Sequence, residues 1–226
     1  EELAWILPTH AHLDHAGGAG HLARRYPNAE VVVPEKGVRH LVDPGALVAG
    51  TKSAVEEQWA YYDDPEPVPE DRISGLAEGD RVDLGDRELV VHEAPGHAPH
   101  HAIYHDPDAD VVFTADAAGI YVPAVDGIEP TTPPPQFDLD QCLADVRTIE
   151  ELDPDTLCFG HFGPREYEPE LAGEVKRAYV EWVEAIREKR DELGDDDLVV
   201  EHFEAASRHA EFWNPERARA NASLNV

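Results

Sequence analysis

Side chains that can bind metal ions recur at one kind of place along this chain, directly after predicted β-strands. Apolar runs predict strands at Ala4–Leu7, Leu89–His92, Val111–Thr114 and Thr156–Phe159. Each strand is followed within a few residues by histidine or aspartate. Because functional sites gather in the loops at one edge of the sheet in layered α/β proteins, this recurrence predicts an α/β fold with a site at that edge. The residues concerned are His10, His12, Asp14, His15, His97, Asp116 and His161.

The spacing of these residues suits two neighbouring metal ions. His10 and His12 lie two residues apart, so their imidazoles point the same way in an extended segment. Asp14 and His15 follow one tight turn later and can reach a second ion, while the two oxygens of Asp116 can bridge both ions. Any one of the thirteen histidines, taken alone, is more simply a surface residue. Together they predict a site for two divalent ions, which we expect to be zinc, with iron and manganese as alternatives.

The rest of the sequence predicts the helices and strands that surround these loops. Residues 72–97 follow a two-residue period with glycine-containing turns, which is typical of antiparallel strands. Two apolar runs within residues 101–116 predict a hairpin that turns near Pro107. Amphipathic periodicity predicts helices over residues 15–26, 51–64, 137–152 and 169–193.

We expect a single domain over residues 1–226, with two helical additions to the layered core. The first is an insert at about residues 37–70, which either forms a lid or pocket wall or packs for stability or dimerisation. The second is a C-terminal helical region over residues 169–226. A proline-rich stretch within residues 116–141 predicts a rigid wall near the site.

The charge of the chain excludes some classes of partner. Asp and Glu total 48 against 18 Lys and Arg, a net charge of −30, and the acidic residues are spread along the chain. This distribution favours adaptation to high salt, where self-repulsion is screened. The surface would repel nucleic-acid phosphates, so no nucleic-acid partner is expected. No apolar run suggests a membrane span or a signal peptide, and the two cysteines do not predict a disulfide framework, so we expect a cytoplasmic location.

Four motifs resemble those of the metallo-β-lactamase superfamily: THAHLDHAGG, APGHAPHH, FTADAAG and FGHFG, which together span residues 9–163. The resemblance implies an αββα sandwich. It also implies that His10, His12 and His97 hold one metal, that Asp14, His15 and His161 hold the other, and that Asp116 bridges them. Members of the family usually have several strands, one carrying an aspartate, ahead of the histidine motif. Those positions are absent from this sequence, so we expect part of the N-terminal strands of the natural protein to be missing.

The resemblance implies a hydrolase of the glyoxalase-II-like or lactonase-like branch. The expected reaction uses a metal-bridging hydroxide to cleave a small ester, lactone or thioester. A homodimer is a possible assembly of the chain. Asp14 is a candidate for passing a proton to the leaving group. Tyr121 is a candidate hydrogen-bond donor to the oxyanion, with packing at the rim as an equal alternative. Other chemistries known for this fold are a mononuclear iron persulfide dioxygenase and a phosphodiesterase.

Overall fold

Two β-sheets form the centre of the computed structural model, which describes residues 2–206 apart from the side chains of residues 56–58 and 206. The first sheet is parallel and contains, in spatial order, β1 (Trp5–Ile6), β2 (Glu30–Pro34) and β3 (Ile73–Leu76). The second contains, in spatial order, β11 (Pro164–Glu166), β10 (Thr156–Phe159), β7 (Val111–Ala115), β6 (Ala102–Asp106), β5 (Glu88–Glu93) and β4 (Arg81–Asp83). Only its β10–β7 pairing is parallel. A separate antiparallel pair consists of β8 (Ile120–Val122) and β9 (Gly127–Glu129).

The helices are α1 (Leu13–Ala16), α2 (Ala19–Arg25), α3 (Glu35–Val42), α4 (Gly45–Val55), α5 (Leu139–Leu152), α6 (Pro169–Leu193) and α7 (Asp196–Ala206). Short 3-10 segments lie at Glu56–Tyr61 and Glu70–Arg72. None of the helices in the described part of the chain is both long enough and apolar enough to cross a bilayer. Residues 207–226 of the predicted C-terminal region lie outside the described residues.

Alternating burial along the central strands shows how the layers stack. In β2, Val31 and Val33 pack with residues of the first helices, whereas Val32 packs with residues of the second sheet. Successive side chains of a strand point to opposite faces, so β2 is covered on both sides and is apolar throughout. In β6, Tyr104 faces the first sheet and Ile103 faces the opposite layer. The predicted αββα sandwich is therefore confirmed.

The outer layer on the second sheet consists of α5 and α6. The side chain of Asp138 caps α5 by accepting a hydrogen bond from the Gln141 amide at 3.0 Å. Helix α6 begins at Pro169 and ends before Gly194, whose φ of 66° suits a residue without a side chain. The prediction of a helix over residues 169–193 is confirmed at both ends.

Three local predictions differ from the structure. The helix predicted over residues 15–26 is split into α1 and α2, because Gly17 and Gly18 interrupt it. The helix predicted over residues 51–64 begins earlier, at Gly45, and passes into a 3-10 segment after Val55. Residues 73–76 were predicted to join an antiparallel sheet, but they pair in parallel with β2 in the first sheet. A two-residue period indicates a strand and does not specify its partner.

Candidate metal centre

The loop after β1 carries the first two histidines and is tied to the second sheet. The hydroxyl of Tyr104 donates a hydrogen bond to the carbonyl of Pro8 at 2.8 Å, and the amide of Ala102 donates to the carbonyl of Thr9 at 2.9 Å. His10, directly after them, is completely buried. These contacts place the start of the histidine motif between the two sheets, at the edge where β5, β7 and β10 also end.

Three imidazoles converge on one point. Nδ1 of His12 lies 3.1 Å from Nε2 of His10 and 3.1 Å from Nε2 of His97. A tetrahedral zinc ion with bonds of ordinary length separates its nitrogen ligands by about 3.3 Å. Burial and the neighbouring imidazoles lower the pKa of His10 well below its usual value and lower that of His12 to about 3. Burial also lowers the pKa of His97. All three rings are therefore neutral at physiological pH, and each has a lone pair available to a cation.

A second group gathers around Asp14, nearer the surface. Its Oδ2 lies 3.4 Å from Nε2 of His15 and 3.7 Å from Nε2 of His161. His161 follows Gly160, where an added Cβ would come within 2.7 Å of the His15 ring and 3.1 Å of Asp116 Oδ1. Only glycine lets the end of β10 come this close to the site. The Asp14 side chain is 43% exposed, so this group opens to solvent.

Asp116 lies between the two groups and faces both of them. Its Oδ2 is 3.6 Å from Nε2 of His97, whereas its Oδ1 is 3.4 Å from Nε2 of His15 and 3.6 Å from Nε2 of His161. Burial alone would raise the pKa of Asp116, but contact with His15 and the nearby imidazoles hold it well below its usual value. The carboxylate is therefore ionised, with one oxygen directed to each group.

Two buried atoms lack the partners that a metal ion would supply. Nε2 of His15 and Oδ1 of Asp116 are both inaccessible to solvent, and neither makes a hydrogen bond of acceptable geometry. Buried polar atoms without partners are rare and call for an explanation. The nitrogen and oxygen donors fit divalent ions such as zinc, iron or manganese. Of the five buried side-chain atoms without a partner among the described residues, these two belong to the ligand set inferred from the sequence.

A chain of hydrogen bonds on the side away from the metal centre holds His97 and Asp116 in position. Nδ1 of His97 lies 3.1 Å from Oγ1 of Thr131, and this hydroxyl donates to the carbonyl of Asp116 at 3.1 Å. The imidazole must therefore donate to Thr131, which leaves its Nε2 unprotonated for a metal. The hydroxyl of Tyr179 on α6 donates to the same carbonyl at 3.0 Å. Thr131 and Tyr179 were not predicted from the sequence as functional residues. The sequence features that could have pointed to them are the position of Thr131 in the proline-rich stretch and that of Tyr179 on the apolar face of α6.

The two histidines after His97 are both buried. Nε2 of His101 accepts a hydrogen bond from the amide of Asp116 at 3.3 Å, so this ring supports a ligand. Nδ1 of His100 accepts from the amide of Ala11 at 3.2 Å. Both rings thus hold backbone beside the ligands, and neither belongs to the three groups of converging donor atoms found among the described residues.

Tyr121 lies in the small β8–β9 pair, and its hydroxyl is already engaged. It donates to Oδ1 of Asp126 at 3.2 Å, while the guanidinium of Arg165 lies 5.1 Å from the centre of its ring. Its ring packs 5.8 Å from that of Phe159. These contacts match the packing alternative, and a role as donor to the oxyanion stays a prediction.

The insert approaches the site through Tyr62. Burial and the charge of Asp14 raise the pKa of this tyrosine, which indicates that the two side chains lie near each other. The ring of Tyr62 stacks on that of Trp59 with 5.5 Å between their centres, and Nζ of Lys52 lies 4.4 Å from the centre of the Trp59 ring. Trp59 and Tyr62 therefore form an aromatic stack within the insert, and its action as a lid stays a prediction.

The pKa of His15 predicts how the stability of the metal-free protein depends on pH. Burial would lower this pKa, but the carboxylates of Asp116 and Asp14 raise it from 6.5 to about 10. The proton on His15 therefore stabilises the fold fully below pH 6.5, and this contribution is lost as pH rises through 10. Denaturant unfolding of chelator-treated protein in high salt should show a free energy that falls with a slope of up to about 1.4 kcal/mol per pH unit. The free energy of unfolding of the His15→Gln variant should fall less steeply with pH over this range. An identical slope in the variant would show that the proton on His15 is not the cause.

Comparison with known proteins adds to this geometry. The family model described as the metallo-beta-lactamase superfamily matches residues 1–161. The metallo-beta-lactamase fold-containing protein ST1585 of Sulfurisphaera tokodaii is 29% identical over 168 residues, covering 72% of this chain and 62% of the relative. The crystal structure of ST1585 matches with a TM-score of 0.69 at 26% identity and covers 78% of this chain and 68% of that chain.

Two further relatives have names that state an activity. The hydroxyacylglutathione hydrolase of Aliivibrio fischeri is 28% identical over 120 residues, covering 51% of this chain and 36% of the relative. The acyl-coenzyme A thioesterase MBLAC2 of Gallus gallus is 32% identical over 125 residues, covering 49% of this chain and 40% of the relative. The chain therefore spans less than two thirds of the length of these relatives. The family match nevertheless covers most of the chain and all of the converging ligands, and on this basis the chain belongs to the metallo-β-lactamase superfamily.

Proposed function

We propose that this chain is a metal-dependent hydrolase with two divalent ions, acting on a small ester, lactone or thioester. The observation that carries the proposal is the position of Asp116, whose two carboxylate oxygens face the two groups of ligands separately. A carboxylate that faces both groups in this way is suited to contact two ions. Relatives named as a hydroxyacylglutathione hydrolase and an acyl-coenzyme A thioesterase support hydrolysis of an acyl compound.

In this proposal each side chain of the site has a separate role. Three histidines would hold one ion, Asp14, His15 and His161 would hold the other, and Asp116 would contact both. Such a pair of ions supplies an activated water and polarises the oxygen of the acyl group. Asp14 directs Oδ2 towards the two imidazoles and is partly exposed. In the proposed reaction its other oxygen would accept a proton and return it to the leaving group. Thr131 and Tyr179 keep the ligands in position.

Zinc is the metal that we propose, because neutral imidazoles and carboxylates without thiolate suit it and no redox step is needed. Iron is the alternative that would accompany an oxygenase. A polyanionic substrate such as nucleic acid is disfavoured, because the chain carries a net charge of −30.

The test combines metal quantitation with substrates. Purified protein should contain about two zinc ions per chain and should hydrolyse members of a panel of lactones and thioesters in high salt. Removal of the metal by a chelator should abolish hydrolysis, and addition of zinc should restore it. Hydrolysis that survives complete metal removal would refute the proposal. One iron per chain with oxygen uptake on a persulfide would instead favour the dioxygenase.

A further inference from the structure

A cavity of about 870 Å³ lies next to the first group of ligands and is not used by the metal centre. Its wall is formed by α3, by the start of β3 and by the loop after His97. The ring of His100 belongs to this wall and lies 5.3 Å, centre to centre, from the ring of His12. The volume is that of a pocket for a small molecule. The cavity therefore begins one side chain away from an inferred metal ligand.

His100 offers this cavity a hydrogen-bond donor. The side chain is 5% exposed, and its Nδ1 accepts the amide hydrogen of Ala11 at 3.2 Å. A neutral imidazole that accepts at Nδ1 carries its proton on Nε2. Among the described residues, this N–H has no hydrogen-bond partner. This nitrogen is not one of the fully buried atoms without a partner, so its N–H is available to an acceptor that a ligand in the cavity brings.

Two cations stand on α3 at the opening of the same cavity. Lys36 and Arg39 are three residues apart, so they lie on one side of the helix. Within the described part of the chain, neither forms an ion pair with a carboxylate. Nε of Arg39 donates to Nε2 of His40 at 3.2 Å, and the end of its guanidinium stays available. Two cations without a carboxylate partner are unexpected in a chain with 48 acidic and 18 basic residues, and both are available to an anionic group of a ligand.

Three acidic residues, Glu35, Asp43 and Glu70, and the amide side chain of Gln136 also belong to the wall. Oδ1 of Asp43 accepts a hydrogen bond from the amide of Gly45 at 3.2 Å. The carboxylate of Glu35 rests against the backbone of Gly75, where an added Cβ would overlap it. Glu70 is exposed. Apolar side chains, Val38, Val42 and Ile73 among them, complete the lining. The cavity thus combines an apolar surface with three exposed acidic residues and two cations that form no ion pair among the described residues.

We propose that this cavity binds a carboxylate-bearing part of the substrate, with the carboxylate held by Lys36 and Arg39 and hydrocarbon against the apolar wall. The inference rests on the proposed function, because it identifies the cavity as the substrate pocket of the same site. Charge-assisted hydrogen bonds contribute about 1.5–3 kcal/mol, which corresponds to an effect of roughly tenfold to a hundredfold on affinity.

The experiment compares charged and neutral thioesters with the zinc-loaded protein. S-glutaryl and S-butyryl N-acetylcysteamine differ in a carboxylate on the acyl side, while S-acetyl 3-mercaptopropionate and S-acetyl ethanethiol differ in one on the thiol side. The double variant Lys36→Gln with Arg39→Gln should raise KM about tenfold for one carboxylate-bearing substrate. Its kcat and both neutral substrates should be unaffected. The arm that responds identifies which side of the substrate enters the cavity.

A control of equal charge separates local binding from long-range attraction. Arg25 and Arg187 are exposed and do not line the cavity. Changing both to Gln removes the same charge and should leave every KM unchanged. The proposal would be overturned if the two double variants changed KM equally, or if the Lys36→Gln, Arg39→Gln variant raised KM for charged and neutral substrates alike. It would also be overturned if this variant left KM unchanged for both carboxylate-bearing substrates.

A binding measurement keeps this inference separate from the proposed hydrolysis. Glutarate should bind zinc-loaded wild-type protein about tenfold more tightly than it binds the Lys36→Gln, Arg39→Gln variant in calorimetric titrations. The difference in glutarate affinity does not depend on hydrolysis. If it were observed and no thioester were cleaved, the proposed function would fail and the cavity assignment would stand. Equal glutarate affinities together with normal hydrolysis of neutral thioesters would overturn the cavity assignment alone.

Discussion

Replacing Asp116 with asparagine is expected to lower kcat/KM by about a thousandfold and to reduce the metal content from two ions to one or none. The carboxylate is the only inferred ligand that faces both groups, with Oδ2 near His97 and Oδ1 near His15 and His161. An asparagine amide retains one oxygen, but it presents N–H donors where the second ion needs a lone pair. Metal analysis by mass spectrometry and hydrolysis of the best substrate in the panel would measure the two effects.

Asp110→Asn provides the matched control, because Asp110 precedes the same strand β7 at the end far from the site. Its φ of 55° is a conformation that asparagine also tolerates. This variant should keep both ions and full activity. A normal metal content and kcat/KM in Asp116→Asn would show that the carboxylate does not bridge, and the proposed dinuclear site would then be wrong.

The ligands could be predicted from the sequence because each follows its strand directly. A strand that ends at a given residue fixes where the next three or four side chains lie, so a local pattern carries information on a site built from distant segments. His10, His97, Asp116 and His161 meet because β1, β5, β7 and β10 end at the same edge. The αββα layers were implied by the resemblance of the four motifs to a known family, and the apolar pattern of β2 agrees with them.

The supporting contacts could not be predicted in the same way. Tyr179 reaches the carbonyl of Asp116 across 63 residues, and it does so only because α6 packs on the second sheet. In the sequence its position on an apolar stripe is that of any core residue. The pairing of β3 with β2 has the same origin, because the side-chain period of a strand does not specify which strand lies beside it.

The support of the ligands has a measurable consequence for metal binding. The hydroxyl of Thr131 contacts Nδ1 of His97 and the carbonyl of Asp116, so it fixes the protonation of one ligand and the backbone of another. Thr131→Val keeps the shape of the side chain and removes both hydrogen bonds. Loss of such outer contacts lowers metal affinity by about 10–100-fold. Tyr179→Phe should have a smaller effect, because the Asp116 carbonyl keeps the hydrogen bond from Thr131.

Competition with a chromophoric chelator would measure the affinity, and the absorption spectrum of the cobalt-substituted protein would report the geometry of the ligands. Thr132→Val is the control, since Thr132 is equally buried and accepts a hydrogen bond from Nε1 of Trp182 at 3.0 Å. Thr131→Ser should restore wild-type affinity, because serine keeps the hydroxyl. If Thr132→Val weakened zinc binding as much as Thr131→Val, the loss would reflect packing, and the hydrogen bond from His97 to Thr131 would have no separate role in holding the metal.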